Sequence, residues 1–555
     1  MASTAPQPRE SHDTDSQEPR RSTDALLTEH DLTTTFDAEN GHTSLKRIAS
    51  GKRWLMVAAP SILLCVFTID FDLVFLSTNY SKRIASDLHQ LSNAVWIILV
   101  GSITETASQP IYAYMGSSYG RRPAFLIAAT LTATGFLLCS LSTKLWHLTL
   151  SRFVVGSSCA GLPLLVMIML NDAVPLRDFA LWRSLLIFVQ MAGDITGGPG
   201  GSAIAESFGW PTVFGAEAGA MLCGLAISFC TLHLPSNKTN HPRGSSFDFV
   251  KPLLLLVTIS LPLFALNLGG EILPWSHPVV ITLFACTPVS LGIFYFVETL
   301  TASSPLVPVE LVKEPAIIAL MACAFFVVFA LNTLSYNLTL YIETRSFDNP
   351  SDFGDWALSC IFFARPVGTL LSGLVIRRYR EPWSMLRANM IVYFCLYFLV
   401  ATGRIPVENP ALAPYFLLIG LSIGVTESCL IVSLFSMVKK RDQPSCLALF
   451  NVAVALAGDV GVGVSLSLTD KFIRNGLREQ LAGTPDCDKI ISGAMESLAT
   501  IRDLPPALQS KVIPIFVLSM EKVMVISCAT LLIGVASTFF YWVTYHEGND
   551  LMAAE

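Results

Sequence analysis

The chain is short of charge. Asp, Glu, Lys and Arg make up 14% of its 555 residues while 52% are hydrophobic, and the mean hydropathy is +0.56. A soluble globular chain is about a quarter charged, so a wholly water-facing surface is excluded. Patterned cysteine is lacking too. Thirteen cysteines are present, nearly all in or beside apolar runs, and only Cys487 sits well inside a polar connection, so no disulfide framework is expected. No Cys/His cluster has metal-ligand spacing, no glycine-rich loop ends in Lys-Ser or Lys-Thr, and no nucleophile elbow occurs. Catalytic residues, a cofactor, a bound metal and a nucleic-acid partner are therefore not expected.

Apolar runs are what the chain has in abundance. Crossing the hydrocarbon takes about 20 mostly apolar residues per helix. Such runs fall near 54–76, 94–114, 123–142, 146–170, 184–206, 211–233, 252–270, 278–299, 315–342, 356–376, 385–402, 411–437, 446–467 and 521–544. The prediction is an all-α polytopic membrane protein of about fourteen spans, whose partners include the lipid bilayer.

Residues 1–53 are rich in Ser, Thr, Asp, Glu and Arg and nearly free of aromatics; they read as a disordered cytoplasmic tail. No cleavable signal precedes Trp54. The polar connection "LPSNKTNHPRGSSFDFV" from Leu234 separates six spans from two, and six more begin near Pro315. The predicted organisation is a first six-helix bundle over 54–233, a linker and two-helix insert over 234–314, a second bundle over 315–545 and a cytoplasmic end over 546–555. An outside loop at 468–520 holds "LREQLAG" and "AMESLATIRDLPP", which resemble short amphipathic helices.

Lys and Arg collect in alternate connections: Arg121, Arg122, Arg177, Arg183, Lys238, Arg243, Lys251, Arg377, Arg378, Arg380, Arg387, Lys439, Lys440 and Arg441. The intervening loops hold chiefly Lys82, Arg83, Lys144, Arg345 and Arg404. The positive-inside rule then puts both termini in the cytoplasm. Asn79 and Asn237 match glycosylation acceptors, and Leu26-Leu27 hint at a sorting signal; neither settles localisation.

The fifth run contains "AGDITGGPGGS" (192–202), echoed by "AGDVGVG" (457–463) at the corresponding place in the second bundle, as expected where transporter halves descend from one repeat. Gly193, Gly197, Gly198 and Gly201 remove bulk along a helix and let a neighbouring backbone approach. Pro199 interrupts the hydrogen-bond ladder, so the stretch is expected to form a close, bendable helix contact.

These segments resemble a known family. "QPIYAYMGSSYGRRP" (109–123), "LSRFVVGSSCAG" (150–161), "GDITGGPGGSAIAESFGW" (193–210), "ALNLGGEILPWSHP" (265–278), "SPLVPVELV" (304–312) and "SLATIRDLPP" (497–506) are similar to signatures of the major facilitator superfamily. The closest resemblance is to its fungal fourteen-span drug:proton antiporter branch, in particular the vacuolar basic amino acid transporter group. That resemblance implies two six-helix bundles, a gating and packing motif at Gly116, Gly120, Arg121 and Arg122 together with the glycines and Pro199 above, and a coupling role for Arg152. Ser117 stands where the family carries an acid, Ala113 and Pro211 depart from its pattern, and the first-span signature keeps Asp70, adds Asp72 and ends in Asn79 instead of proline.

An ionisable group at mid-bilayer costs about 2.5–3.5 kcal/mol on insertion scales. This chain places Asp70, Asp72, Glu105, Arg152, Asp194, Glu217, Arg365, Glu427 and Asp459 within its spans. Each is a candidate for proton coupling or substrate binding, and each has an alternative as a paired structural group. Asp70 and Asp72 cannot share a helix face. Arg365 is a candidate partner for Glu427, Asp459 or an anionic substrate. Asn332 and Asn337 are candidates for hydrogen bonds to a ligand or between helices. The excess of acids favours a cationic substrate exchanged for protons. The expected function is proton-coupled export of a small drug, toxin or secondary metabolite across the plasma membrane. The alternatives are import of basic amino acids into the vacuole and a non-transporting membrane sensor.

Overall fold

The computed structural model describes residues 59–73, 75–76, 80–90, 95–174, 176–232, 250–269, 273–300, 314–345, 354–379, 381–404, 413–438, 442–480 and 505–554. The readings for the tail, for Leu26 and Leu27, for Asn79 and Asn237 and for Cys487 lie outside them. The described residues are almost entirely helical: α1 (59–73), α2 (Ser81–Asp87), α3 (Val95–Ser118), α4 (Arg121–Ser140), α5 (Leu145–Cys159), α6 (Gly161–Ala173), α7 (Leu176–Phe208) and α8 (Trp210–Thr231) in the first half. There follow α9 (Val250–Leu268), α10 (Pro278–Leu300), α11 (Pro315–Arg345), α12 (Gly354–Tyr379), α13 (Pro382–Ala401), α14 (Ala413–Met437), α15 (Gln443–Gln480) and α16 (Pro506–Ala554). Among the described residues, eleven helical stretches are long and apolar enough to cross a bilayer by themselves, α5 and α6 together making one of them. A bilayer offers no water to an open backbone, and a helix satisfies its own N–H and C=O groups.

Several predicted boundaries need correction. The run expected at 184–206 is α7, which begins at Leu176, so Arg177 and Arg183 belong to a helix and Arg183 is buried. Lys251 lies in the first turn of α9 and is buried 3.9 Å from Glu298 instead of facing solvent in a connection. The region 468–520 is not all loop: α15 carries the helix to Gln480 and α16 resumes it at Pro506. "LREQ" is the last turn of α15, not a separate surface helix, and α16 continues past the end expected for the last span. Pro199 sits inside α7 without ending it. The side chain of Pro199 is exposed.

Helices α1 to α8 pack as one bundle and α11 to α16 as another. The insert α9–α10 lies against both, on α3 and α15, through a cluster in which Leu255, Ile259 and Leu263 meet Leu99, Ile103, Ala107 and Val452. Trp275 extends this docking by donating from Nε1 to Ser467 Oγ at 2.9 Å. The insert therefore covers a seam between the bundles.

Glycine sets the closest approaches. A Cβ on Gly193 would lie 2.8 Å from Phe67 O, and one on Gly197 would collide with the backbone of Phe71. Gly201 abuts the Phe75 ring, and Gly198 is buried. α7 thus lies backbone to backbone on α1, the packing small residues permit in membranes. The echo does the same in the second bundle, where a Cβ on Gly461 of α15 would lie 2.8 Å from Phe329 O of α11.

Candidate functional site

The two acids of α1 point to different places, as their spacing requires. Asp72 turns into the first bundle. Arg152 of α5 donates from Nη1 to both of its carboxylate oxygens, at 3.0 and 2.8 Å, and both residues are almost wholly buried. Glu217 of α8 is 3% exposed and comes within hydrogen-bond reach of Asp72. Glu105 of α3, half-buried, faces both Arg152 and Asp72. Of the two first-span acids, the added one, Asp72, holds the guanidinium.

Asp70 faces the seam between the bundles. It accepts a hydrogen bond from Gln190 and interacts electrostatically with Asp194, Glu105 and Arg365. Gln190 and Asp194 both lie on α7, whose glycines hold it against α1, so close packing is what brings the two acids together. Arg365, on α12 of the opposite bundle, donates from Nε to Glu427 Oε2 at 3.0 Å and has Nη2 2.9 Å from Oε1. Such a bidentate pair is directional and strong. The Arg365 side chain keeps 38% exposure, so it still faces open space while it holds Glu427.

Arg183 approaches Glu427 from the first bundle at 3.7 Å. Its Nε and Nη1 are buried with no hydrogen-bond partner. Glu427 therefore lies between one guanidinium from each bundle. Sequence alone places Arg183 in a connection because Lys and Arg collect between the spans.

Below this level the bundles meet at the face that carries Arg121, Arg122 and Arg377, called here the basic face. Arg377 Nε lies 3.3 Å from Asp178 Oδ1. Asn171 Nδ2 donates to Gln443 Oε1 at 2.6 Å, while Gln443 Nε2 donates to the carbonyls of Phe435 and Val438. The rings of Phe179 and Phe435 meet edge on at 5.2 Å. A Cβ on Gly373 would lie 2.9 Å from the backbone nitrogen of Leu181. The basic face is closed by these contacts.

The gating motif is tied within the first bundle. Arg121 Nε lies 3.3 Å from Asp172 Oδ2 and its Nη1 reaches Ser117 Oγ at 3.4 Å, so Asp172 supplies the carboxylate that position 117 lacks. Arg122 donates to Phe229 O and lies over that ring. Gly120 has φ +102°, a left-handed conformation that suits glycine, and starts α4. A Cβ on Gly116 would press on Leu165 at 2.7 Å.

The remaining candidates separate. Asp459 of α15 is half-buried and accepts a hydrogen bond from Asn267 of the insert. It is not joined to Arg365. Asn332 is half-buried beside Gly458 and donates to Val328 O. Asn337 is fully buried; it donates to Ser465 Oγ at 2.5 Å and accepts from Thr469 Oγ1 at 3.0 Å. Asn337 thus joins α11 to α15.

Two fission-yeast proteins of Schizosaccharomyces pombe are similar along most of the chain. "Multidrug resistance protein fnx1" is 27% identical over 477 residues, covering 84% of this chain and 88% of that one. "Vacuolar membrane amino acid uptake transporter fnx2" is 24% identical over 463 residues, covering 82% and 78%. Among solved structures, that of the human organic anion transporter MFSD10 aligns with a TM-score of 0.53 at 14% identity, covering 87% of this chain and 99% of that one, which supports the fold. The family model of the Major Facilitator Superfamily matches residues 62–462, a stretch that runs through both bundles and the insert. The chain is a multi-pass membrane transporter and belongs to the major facilitator superfamily.

Proposed function

We propose that the protein moves a small amine-bearing organic molecule out of the cytoplasm in exchange for protons. The observation that carries this reading is the seam cluster, in which Asp70 and Asp194 of one bundle face the Arg365–Glu427 pair of the other. Three carboxylates, Asp70, Asp194 and Glu427, set against two guanidiniums, Arg365 and Arg183, leave negative charge unmatched, and away from water that charge calls for a proton or a cation. A cationic substrate and protons are then alternatives for one place, and each release admits the other. Exchange follows when the two occupants stabilise different states of the bundles. The basic face is taken as cytoplasmic by the positive-inside rule, so with that face closed the cluster addresses the opposite compartment.

For localisation the reading is the plasma membrane, with a drug, toxin or secondary metabolite as cargo. A second reading, transport of basic amino acids into the vacuole, has a specific observation in its favour. Arg365 is partly exposed and Arg183 has buried donors without partners, which suits a substrate carboxylate, while Asp70 and Asp194 suit its amine. The name carried by fnx2 agrees with that cargo.

The test is gradient-driven uptake into membrane vesicles holding the purified, tagged protein, with radiolabelled lysine or arginine and a fluorescent lipophilic cation as probes. Tagged-protein imaging is run alongside. Uptake that collapses when the gradient is discharged, and is lost in Asp70→Asn and Asp194→Asn, supports the reading; the probe carried and the membrane stained choose between the two cargoes. Transport that survives both substitutions overturns it, and binding without transport would indicate a sensor.

A further inference from the structure

We infer that Asp72 and Glu217 form a second proton-binding site, inside the first bundle, separate from the seam carboxylates and reached through Glu105. The argument begins with donors. Both oxygens of Glu217 are buried and accept no hydrogen bond from any donor, although the residue is 3% exposed. The group it reaches is Asp72, another acceptor, whose two oxygens are already held by Arg152. Two carboxylates in contact cannot bond to each other, whereas a carboxylic acid and a carboxylate can, with one proton between them. That proton turns the unpartnered Glu217 into a donor and removes the repulsion in a single step.

The surroundings supply no other resolution. The ionisable groups that face the pair are Arg152 from α5, Glu105 from α3, Cys139 from α4 and Cys159 from α5. Arg152 is the lone cation among them, and it faces three carboxyl groups. Its Nη1 is taken up by Asp72 and its Nη2 lies beside Gly101 of α3, while its buried Nε reaches no acceptor, neither oxygen of Glu217 included.

Glu105 gives the site its access. It interacts with Asp72 and Arg152 on one side and with Asp70 on the other, and it is half-buried where the pair is closed off. A proton arriving at the seam passes from Glu105 to the pair, and α1 joins the two places because Asp70 and Asp72 lie on different faces of one helix. When the proton leaves, Asp72 and Glu217 repel, which pushes α1 and α8 apart. For its role in transport, this inference rests on the proton-coupled reading above.

Infrared difference spectroscopy on the purified full-length protein in lipid vesicles, without substrate, tests it. At neutral pH the wild type is expected to show the carbonyl band of a buried carboxylic acid. Glu217→Gln should abolish that band, Glu217→Asp should shift it, and Asp70→Asn and Asp194→Asn should leave it in place. On alkalinisation, dye-detected proton release should fall by one proton per molecule in Glu217→Gln. A band that persists in both Glu217→Gln and Asp72→Asn, or that disappears only with Asp70 or Asp194, overturns the inference. Because Glu217→Asp keeps a carboxyl group, an unshifted band in that variant also overturns it should Glu217→Gln fail to fold. Vesicle transport found independent of the gradient, with the Glu217 band present, would sink the coupled reading and leave this site standing.

Discussion

Replacing Gln443 with alanine is expected to open the basic face. Gln443 accepts from Asn171 of the opposite bundle and donates to the carbonyls of Phe435 and Val438, all of them buried. Alanine removes those bonds, and the lost cross-bundle bond leaves the Asn171 amide unsatisfied as long as the face stays closed, at about 1–3 kcal/mol. Opening lets water reach that amide, so this penalty falls on the closed state alone, whereas the carbonyls of Phe435 and Val438 lie in the same bundle as Gln443 and lose their bonds in either state. The ratio of closed to open should drop about 5- to 150-fold. Hydrogen–deuterium exchange measures that ratio directly, because amides sealed by closure exchange in proportion to the open population. Exchange should rise by this factor in peptides covering 171–183 and 435–446 and remain unchanged near Asn337. Asn389→Ala serves as the control, since its bonds to Ser422 and Thr426 lie within the second bundle. Exchange that rises uniformly in Gln443→Ala, or does not rise at 171–183, would refute the reasoning.

Three further outcomes follow from packing and pairing. Gly197→Leu should separate α7 from α1, because its Cβ meets the Phe71 backbone, which cannot step aside. A loss beyond the ~1–3 kcal/mol of ordinary overpacking should show as a lowered apparent unfolding temperature in detergent, with Gly219→Ala, whose Cβ meets nothing within 4 Å, unchanged. Asp72→Asn removes the carboxylate that holds the buried Arg152, leaving Glu105 and Glu217 as the acids that face it, and should cost about 1–3 kcal/mol, whereas Asp172→Asn, at the 41% exposed partner of Arg121, should cost at most about 1 kcal/mol; the same melting assay ranks them. Asn337→Ala should lower stability by up to ~2 kcal/mol through its links to Ser465 and Thr469 while leaving the half-saturation concentration of any transported probe unchanged. A changed half-saturation would return Asn337 to the binding site.

The sequence by itself determined that the chain crosses a bilayer many times and that a glycine-containing stretch recurs in its second half. Both follow from local facts: apolar run length, where Lys and Arg fall between runs, and the echo of "AGDITGG" in "AGDVGVG". It also determined that Asp70 and Asp72 face different ways, since helix periodicity is local. Which face each one uses is not local. Arg152 matches the family signature, but only the packing of α1, α5 and α8 shows that it holds Asp72 and leaves Asp70 to the seam. Arg183 read as a loop residue because charge usually marks a connection, and burial reversed that reading because α7 starts earlier and meets Glu427. Asn337 and Asn332, equivalent as isolated amides, differ once α15 covers one and leaves the other half open. The tertiary structure decided these points because partners far apart in sequence, such as Asp72 and Glu217 or Asn171 and Gln443, are chosen by which helix faces meet, and no single helix carries that information.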